Sequence, residues 1–475
     1  MSKLRLSLYL LGCVWVFCAA CRSTPTANVQ WWVTQPQNEQ KRLQRQASLT
    51  LSADKQQNAT TLHLDPSQRF QRMEGWGFTL SGGSAEHLHH MSPSARKKVL
   101  QHLFSYENEG LGISLLRIPL GASDLDRHPF SYWEQPQKST DSLLLPIDLR
   151  EHLQHLIPIL KEILAIQPGL RIMASPWSAP AWMKNTGDTR GGTLMPAYMP
   201  LYAQSFVQYI AEMKKHNIDI HSITIQNEPL HDGNNPSMYM SAEDMKVFIK
   251  NHLGPAFAAS SIATKILIYD HNADHPEYPL AILNDPVAKS FVAGSAFHLY
   301  AGRIEALSEV HRQHPDREIH FTEQWTEGPG DFARDFTFHM KYIVIGATQN
   351  WSRSVFQWNL TNNPTYTPHT DRGGCQRCMG ALTIDGDQVT YNSPYYVMAH
   401  AAKWVKPGSI RVGSKLSADL PHVAFANSDG QIVLIVYNES QQKQSIQIPY
   451  ANQYFHFPLE AGEVATLLLS SPNPE

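Results

Sequence analysis

Eight short apolar runs recur along the middle of the chain, with helical patterns between them. They span 73–77, 115–120, 170–175, 222–226, 265–269, 294–298, 318–322 and 354–358. Each has the length of a buried strand, and longer amphipathic stretches separate them. Residues 93–104 place Val99, Leu100, Leu103 and Phe104 on one face. Pro93 suits the first turn there, where its missing N–H costs no hydrogen bond. Segments 158–166, 199–215, 241–258, 279–292, 303–313, 333–347 and 394–404 read in the same way. Strand then helix, eight times, predicts an α/β fold of the (β/α)8 TIM-barrel kind over residues 73–404. A doubly wound open sheet gives the same alternation, and periodicity alone leaves it open.

The flanks follow a different rhythm. Residues 47–72 alternate, with Leu49 and Leu51, then Leu62 and Leu64, as half-buried strands do. Beyond 405 the helical period stops, and 423–425, 432–437, 445–448 and 464–469 are strand-like. Asp429-Gly430 is a hairpin turn signal. A small all-β sandwich, built from the 47–72 strands and the C-terminal segment 405–475, is expected beside the barrel. Lys3 and Arg5 precede an apolar stretch from Leu6 to Ala20, shorter than the ~20 residues of a spanning helix. Residues 1–21 therefore read as an export signal of the lipoprotein type, with Cys21 as the lipidated residue. Plain secretion, or lipidation at Cys13, are the other readings. This places the protein in the periplasm or at the outer membrane or cell surface, attached through an N-terminal lipid, or else secreted. Residues 22–46 are polar and read as a tether, within which Trp31-Trp32-Val33 is a candidate early strand.

Several function classes fall away. The net charge is −3 with no long basic run, so no nucleic-acid partner is expected. Gly75-x-Gly77 is followed by Leu80 where a dinucleotide fingerprint needs a third glycine. Neither a Walker loop nor a His-Glu-x-x-His motif occurs, and neither a cofactor nor a metal is expected. The chain is expected to act as a monomer. The 11 Trp and 18 Tyr suit sugar recognition, since flat rings stack on pyranose faces, although aromatics also fill cores.

In such a barrel the catalytic groups stand at the C-terminal strand ends. Those ends carry Arg117 and Asp124, Ser175-Pro176-Trp177, Asn227-Glu228-Pro229, Asp270-His271, His298 and Tyr300, Glu323-Gln324-Trp325, and Trp358-Asn359. Glu228 and Glu323 follow strands 4 and 7, which lie across the barrel from each other. Glycoside hydrolysis needs one carboxyl to protonate the leaving oxygen and a second to attack or to activate water. If configuration is retained, the two should stand about 5–5.5 Å apart. Glu228 as acid would need a raised pKa, to which the nearby Glu323 anion contributes. Asn227 can donate to the sugar 2-hydroxyl. His298 reads as a packed, hydrogen-bonded neighbour of these groups rather than an acid or base.

These residues carry a family resemblance. Gly75-Trp76-Gly77, Leu116-Arg117-Ile118-Pro119, Ala174-Ser175-Pro176-Trp177-Ser178-Ala179-Pro180, Gln226-Asn227-Glu228-Pro229, Ala296-Phe297-His298-Leu299-Tyr300, Phe321-Thr322-Glu323 and Trp358-Asn359-Leu360 occur in one order between about residues 60 and 412. The chain resembles glycoside hydrolase family 30. The resemblance implies hydrolysis with retention through a covalent glycosyl-enzyme, with Glu228 as acid/base and Glu323 as nucleophile. It further implies that Asp124 and Trp177 contact sugar hydroxyls, that Arg117 orients the nucleophile, that Tyr300 tunes it and that Trp358 forms an aromatic floor. Leu80-Ser81-Gly82-Gly83-Ser84 departs from the Thr-Asp of animal glucosylceramidases. The segments 185–192 and 361–380 look closer to bacterial members. The expected activity is endo-cleavage of β-1,6-glucan. A glucosylceramidase-like exo-β-glucosidase is the alternative, and a non-catalytic glucan-binding surface lipoprotein is the alternative of another class. Cys375 and Cys378 lie in the strand-8 loop; export favours a disulfide, with free thiols or a metal as the other readings.

Overall fold

The apolar runs close into a cylinder in the computed structural model of the chain, which describes residues 28–134, 144–415 and 417–470. Barrel strands 1 to 8 are Gly75–Thr79, Leu115–Pro119, Arg171–Ser175, Ile220–Thr224, Lys265–Ala273, Val292–Gly302, Glu318–Glu323 and Ser352–Asn359. Each pairs in parallel with its neighbours, and strand 8 returns to strand 1 through pairs such as Val355 with Trp76 and Phe356 with Gly77. That pairing decides between the two topologies left open by periodicity, because an open doubly wound sheet has free edges. Closure removes them.

The strands are short and buried because helices cover the outside and side chains fill the inside. Leu115, Met173, Leu267, Ala296 and Phe356, from five different strands, pack on one another as an interior layer. Outside, the helix Pro93–Phe104 turns Val99, Leu100, Leu103 and Phe104 inward, and Ser92 caps it by accepting from the Ala95 N–H. The stretch read as one helix over 241–258 consists of Ala242–Phe248, a π-helical turn at Ile249–Leu253, and Gly254–Ala259. Gly254 explains the tight passage there, since a Cβ would lie 2.3 Å from the Phe291 ring.

The second layer system is an all-β sandwich. Its C-terminal strands include Ile410–Ser414, His422–Ala426, Ile432–Tyr437, Gln444–Tyr450, Gln453–Leu459 and Val464–Leu469. Strands Leu49–Ser52 and Leu64–Arg72 join from the N-terminal side. The tether expected over 22–46 needs correction. From Asn28 the chain is already structural: Asn28–Thr34 is a strand pairing antiparallel with Val464–Leu469, and Trp32 sits opposite Thr466. Val29, Trp31 and Val33 alternate into the sandwich core. The early strand expected at Trp31-Trp32-Val33 is present and longer, with period-two burial among Gln, Asn and Thr. The expected export signal and Cys21 lie outside the described residues. Among the described residues, no helix is long and apolar enough to cross a membrane.

The two units lock together through satisfied polar contacts. The buried His400 of the last barrel helix bonds Thr34 Oγ1 at 2.8 Å and Thr466 Oγ1 at 2.9 Å, one on each terminal strand. Trp76 donates its indole N–H to the Val405 carbonyl at 3.0 Å. Close approach also governs the barrel wall. A Cβ on Gly77 would lie 2.1 Å from the Leu115 carbonyl oxygen, which is backbone and cannot yield cheaply. Gly77→Ala is expected to destabilise the protein by about 1–3 kcal/mol, read as a lowered thermal unfolding midpoint; an unchanged midpoint would show that strands 1 and 2 part more easily than this geometry implies.

Candidate active site

The C-terminal strand ends converge on a buried network of charge. Arg117, fully buried on strand 2, is its centre. Its Nη1 donates to Glu323 Oε2 at 2.5 Å, its Nη2 to Asn227 Oδ1 at 2.6 Å and to Asp270 Oδ2 at 2.9 Å, and its Nε to Ser175 Oγ at 3.1 Å. The guanidinium also lies 4.8 Å from the Trp177 ring centroid. A buried cation needs this degree of compensation, because desolvating it costs several kcal/mol. Tyr300 donates its hydroxyl to the other oxygen of Glu323 at 2.8 Å. Both oxygens of Glu323 are therefore held.

Glu228 faces this group from the loop after strand 4. Its backbone is in the left-handed region, at φ +48°, a conformation that costs a non-glycine residue about 1–3 kcal/mol. The backbone hydrogen bond from the Glu228 N–H to the Asp270 carbonyl, 2.9 Å, fixes it there. One carboxylate oxygen from each of Glu228 and Glu323, with a nitrogen of His298, lie within 4.8 Å of one another. The two carboxylates thus approach each other closely enough to act on one anomeric centre. The same three donors have the spacing of a metal site, but the Arg117 guanidinium already supplies the cation against Glu323.

His298 joins the two halves. Its Nδ1 stands 3.2 Å from Glu228 Oε1 and 3.7 Å from Glu323 Oε1, and its Nε2 stands 3.1 Å from Asp270 Oδ1. Burial alone would lower its pKa. The charge of Glu323 and the hydrogen bonds to Asp270 and Glu228 prevail and raise it to about 9. Burial pushes Glu228 up, yet the hydrogen bond and charge from His298 outweigh that and hold Glu228 below its ordinary value. Burial raises Glu323, helped by the charges of Glu228 and Asp270 against the pull of His298 and Arg117. His298 is therefore the group that carries the proton at neutral pH, one hydrogen bond away from Glu228. This differs from the expectation that Glu228 itself would be raised. Sequence could not show an imidazole at bonding distance from that carboxylate.

Asp270 was missed as a functional residue. It follows the strand-5 apolar run, where only its position hinted at a role. The structure makes it the second anion on Arg117 and the acceptor for His298, Thr224 and Thr322, whose hydroxyls donate at 2.7 Å each. Burial opposes its ionisation, but the Arg117 charge and the His298 and Thr224 hydrogen bonds hold its carboxyl well below the usual range. Tyr269 and Asp270 both have positive φ, at +75° and +58°, which turns this carboxylate back towards the network.

The remaining expected residues surround the pair. Asn227 accepts from Arg117 through Oδ1, which leaves its amide N–H groups to donate. Asp124 is buried, and burial followed by the charges of Glu323 and Glu228 raise its pKa to about 8. At neutral pH it can both donate to and accept from a hydroxyl. Trp177 and Trp358 pack with ring centroids 5.4 Å apart and form the apolar wall with Leu125 and Cys378. Cys375 and Cys378 form a disulfide, S–S 2.09 Å, behind that wall. Ser81 and Ser84, at the strand-1 end, bond Asn359 Oδ1 at 3.4 and 2.7 Å. The strand-8 loop crosses the rim: the Thr370 N–H bonds the Asp124 carbonyl at 3.0 Å, and Arg372 pairs with Asp188 through two 3.0 Å bonds.

Replacing His298 with Asn removes the imidazolium while Glu323, Asp270 and Arg117 stay. The neighbouring His271 is lowered to about 4, so it is neutral and does not substitute. In the parent the proton of the His298–Glu228 unit is lost as pH rises through about 9. In His298→Asn it resides on Glu228 alone, and the alkaline limb of the kcat/KM profile should move acidward by about one unit or more. An unmoved limb would show that the imidazole does not hold this proton.

Comparison with known proteins agrees with this geometry. Residues 73–405 match the model of the glycosyl hydrolase family 30 TIM-barrel domain, and residues 408–467 match that of the family 30 beta sandwich domain. The chain is 33% identical over 394 residues to endo-1,6-beta-D-glucanase neg1 of Aspergillus fumigatus, covering 78% of each chain. It is 27% identical over 431 residues to the lysosomal acid glucosylceramidase of Mus musculus, covering 84% of this chain and 81% of that one. The solved structure of the endo-beta1,6-glucanase BT3312 superposes with a TM-score of 0.85 at 31% identity, covering 94% of this chain and 100% of that one.

Proposed function

The chain belongs to glycoside hydrolase family 30 and is a glycoside hydrolase, and from that premise we propose that it is a retaining enzyme that cuts β-1,6-glucan internally. The observation that carries this reading is the short separation of Glu228 and Glu323, with Arg117 and Tyr300 both donating to Glu323. Those donors hold the Glu323 carboxylate in place and support its reading as the nucleophile. In the first step an oxygen of Glu323 bonds to the anomeric carbon as the bond to the leaving oxygen breaks. Glu228 delivers the proton to that oxygen, drawing on the one held along its 3.2 Å hydrogen bond with His298. In the second step Glu228 takes a proton from water, whose oxygen displaces Glu323 from the same carbon. Two inversions give net retention.

The other residues bind and polarise the sugar. Asn227 donates to the 2-hydroxyl, a contact that strengthens as positive charge develops at the ring. Asp124 takes a hydroxyl on the non-reducing side, and Trp177 and Trp358 supply the hydrophobic wall. The linkage is supported by the fungal glucanase and BT3312, both described as acting on β-1,6-glucan. A glucosylceramidase-like exo action is the second reading, favoured by the similarity to the mouse enzyme. We read the protein as acting as a monomer. We read the N-terminal segment as an export signal, with lipid attachment at Cys21 suiting an extracellular polysaccharide.

Product analysis on β-1,6-glucan, β-1,3-glucan, xylan and an aryl β-glucoside tests the function. Oligosaccharides from the first alone are expected; aglycone release from the last alone would overturn endo action. Glu323→Gln should lose about three orders of magnitude or more in kcat while still binding glucan. Glu228→Gln should keep activity on aryl glucosides whose leaving groups need no proton, and lose it on glucan. The reverse pattern would exchange the two roles.

A further inference from the structure

A second groove lies at the opposite end of the barrel. It encloses about 630 Å³ and is lined by Tyr106, Gln101, Glu107, Asn108 and Gln167, from the end of the helix Pro93–Phe104 and the turns beside it. Its volume is in the range of small-molecule sites. Its chemistry differs from the catalytic rim, where buried charges converge.

Tyr106 is built as a platform. Burial raises its pKa, against an opposing interaction with the side chain of Ser114, the residue just before barrel strand 2. One side of the ring packs against the bare backbone of Gly112. A Cβ there would come within 2.2 Å of two ring carbons, and Gly112 has a φ of +65°. The rest of the ring is open, and the residue is 42% exposed. An aromatic ring packed along one side on backbone and lining a groove loses little entropy when a ligand stacks on it. The side chains around it are planar amides and a carboxylate, which accept from and donate to hydroxyls. Glu107 and Glu109 make the groove unfavourable for an anion, and the neighbouring Lys403 is engaged by Glu109 at 2.7 Å. The chemistry left is that of a neutral polyhydroxylated ring with one apolar face.

We propose that this groove is a non-catalytic β-glucan-binding site, with Tyr106 as its stacking residue. The proposal rests on the reading that the substrate is a polymeric β-glucan. Ser114 stands about 16 Å along strand 2 from the rim, at about 3.3 Å per residue, so no single glucosyl unit can touch both sites. A long chain can occupy them together. The groove then raises the local concentration of scissile bonds at Glu228 and Glu323 without contacting either, and its effect appears only with polymers.

The test uses the full chain. Glu323→Gln protein is run by native electrophoresis through gels with and without β-1,6-glucan, and again with β-1,3-glucan. Tyr106→Ala is added to one sample and Tyr106→Phe to another, with thermal melting to verify folding. Retardation by glucan that falls severalfold with Tyr106→Ala and returns with Tyr106→Phe is expected. In the Glu323 parent, Tyr106→Ala should raise KM for polymer severalfold and leave kcat/KM on an aryl β-glucoside unchanged. Equal retardation of Tyr106→Ala and its parent overturns the site, as does absence of retardation in both gels. Tyr106-dependent retardation in an enzyme that hydrolyses no glucan would sink the proposed activity and leave this site standing.

Discussion

The buried guanidinium of Arg117 is the constraint that the rest of the catalytic end satisfies. An unpaired cation there would be intolerable in a low-dielectric interior, and breaking such a pair typically costs about 3–5 kcal/mol. Its partners come from strands 3, 5 and 7 and from the loop after strand 4, so satisfying one side chain brings most of the catalytic end of the barrel into register. Glu323 is positioned by a bond that the fold needs for its own stability. The same holds for Asp270, whose four hydrogen-bonding partners leave its orientation no freedom. Preorganisation of this kind supplies electrostatic stabilisation without reorganisation during the reaction.

Set against that rigidity, one proton remains mobile. Glu323 is clamped by two donors, whereas Glu228 has His298 as its hydrogen-bonding neighbour. The asymmetry fits the proposed roles, in which the clamped carboxylate attacks and the other exchanges a proton with an imidazole that can hold it at neutral pH. His298 was expected to be a packed neighbour, and it is packed; its three anionic contacts make it also the place where the charge of the pair is balanced.

Much of this was legible in the chain. The eightfold alternation and the residues after each run are local signals, and strand ends carry catalytic groups for a topological reason. Glu228 and Glu323 therefore stood out. Asp270 did not, because its importance lies in a positive φ and in partners from other strands, both of which are tertiary facts. Trp31-Trp32-Val33 marked an early strand, but the polar composition of 22–46 hid its full extent, Asn28–Thr34, and only the pairing with Val464–Leu469 reveals what it faces. The π-helical turns, at Ile249–Leu253 and His339–Gly346, leave the amphipathic period largely intact and so escape a reading based on it.

That same pairing of first and last strands has a consequence for biogenesis. The chain begins the sandwich, leaves it to build the whole barrel, and returns to finish. During synthesis the opening strand leaves the ribosome with apolar residues and an open edge, while its partner is the last to be translated. The final barrel helix presents His400 to both ends at once. The sandwich therefore closes only when both strands are present: a chain truncated near its end would leave the Asn28–Thr34 edge unzipped, the kind of surface that quality-control proteases and aggregation both recognise.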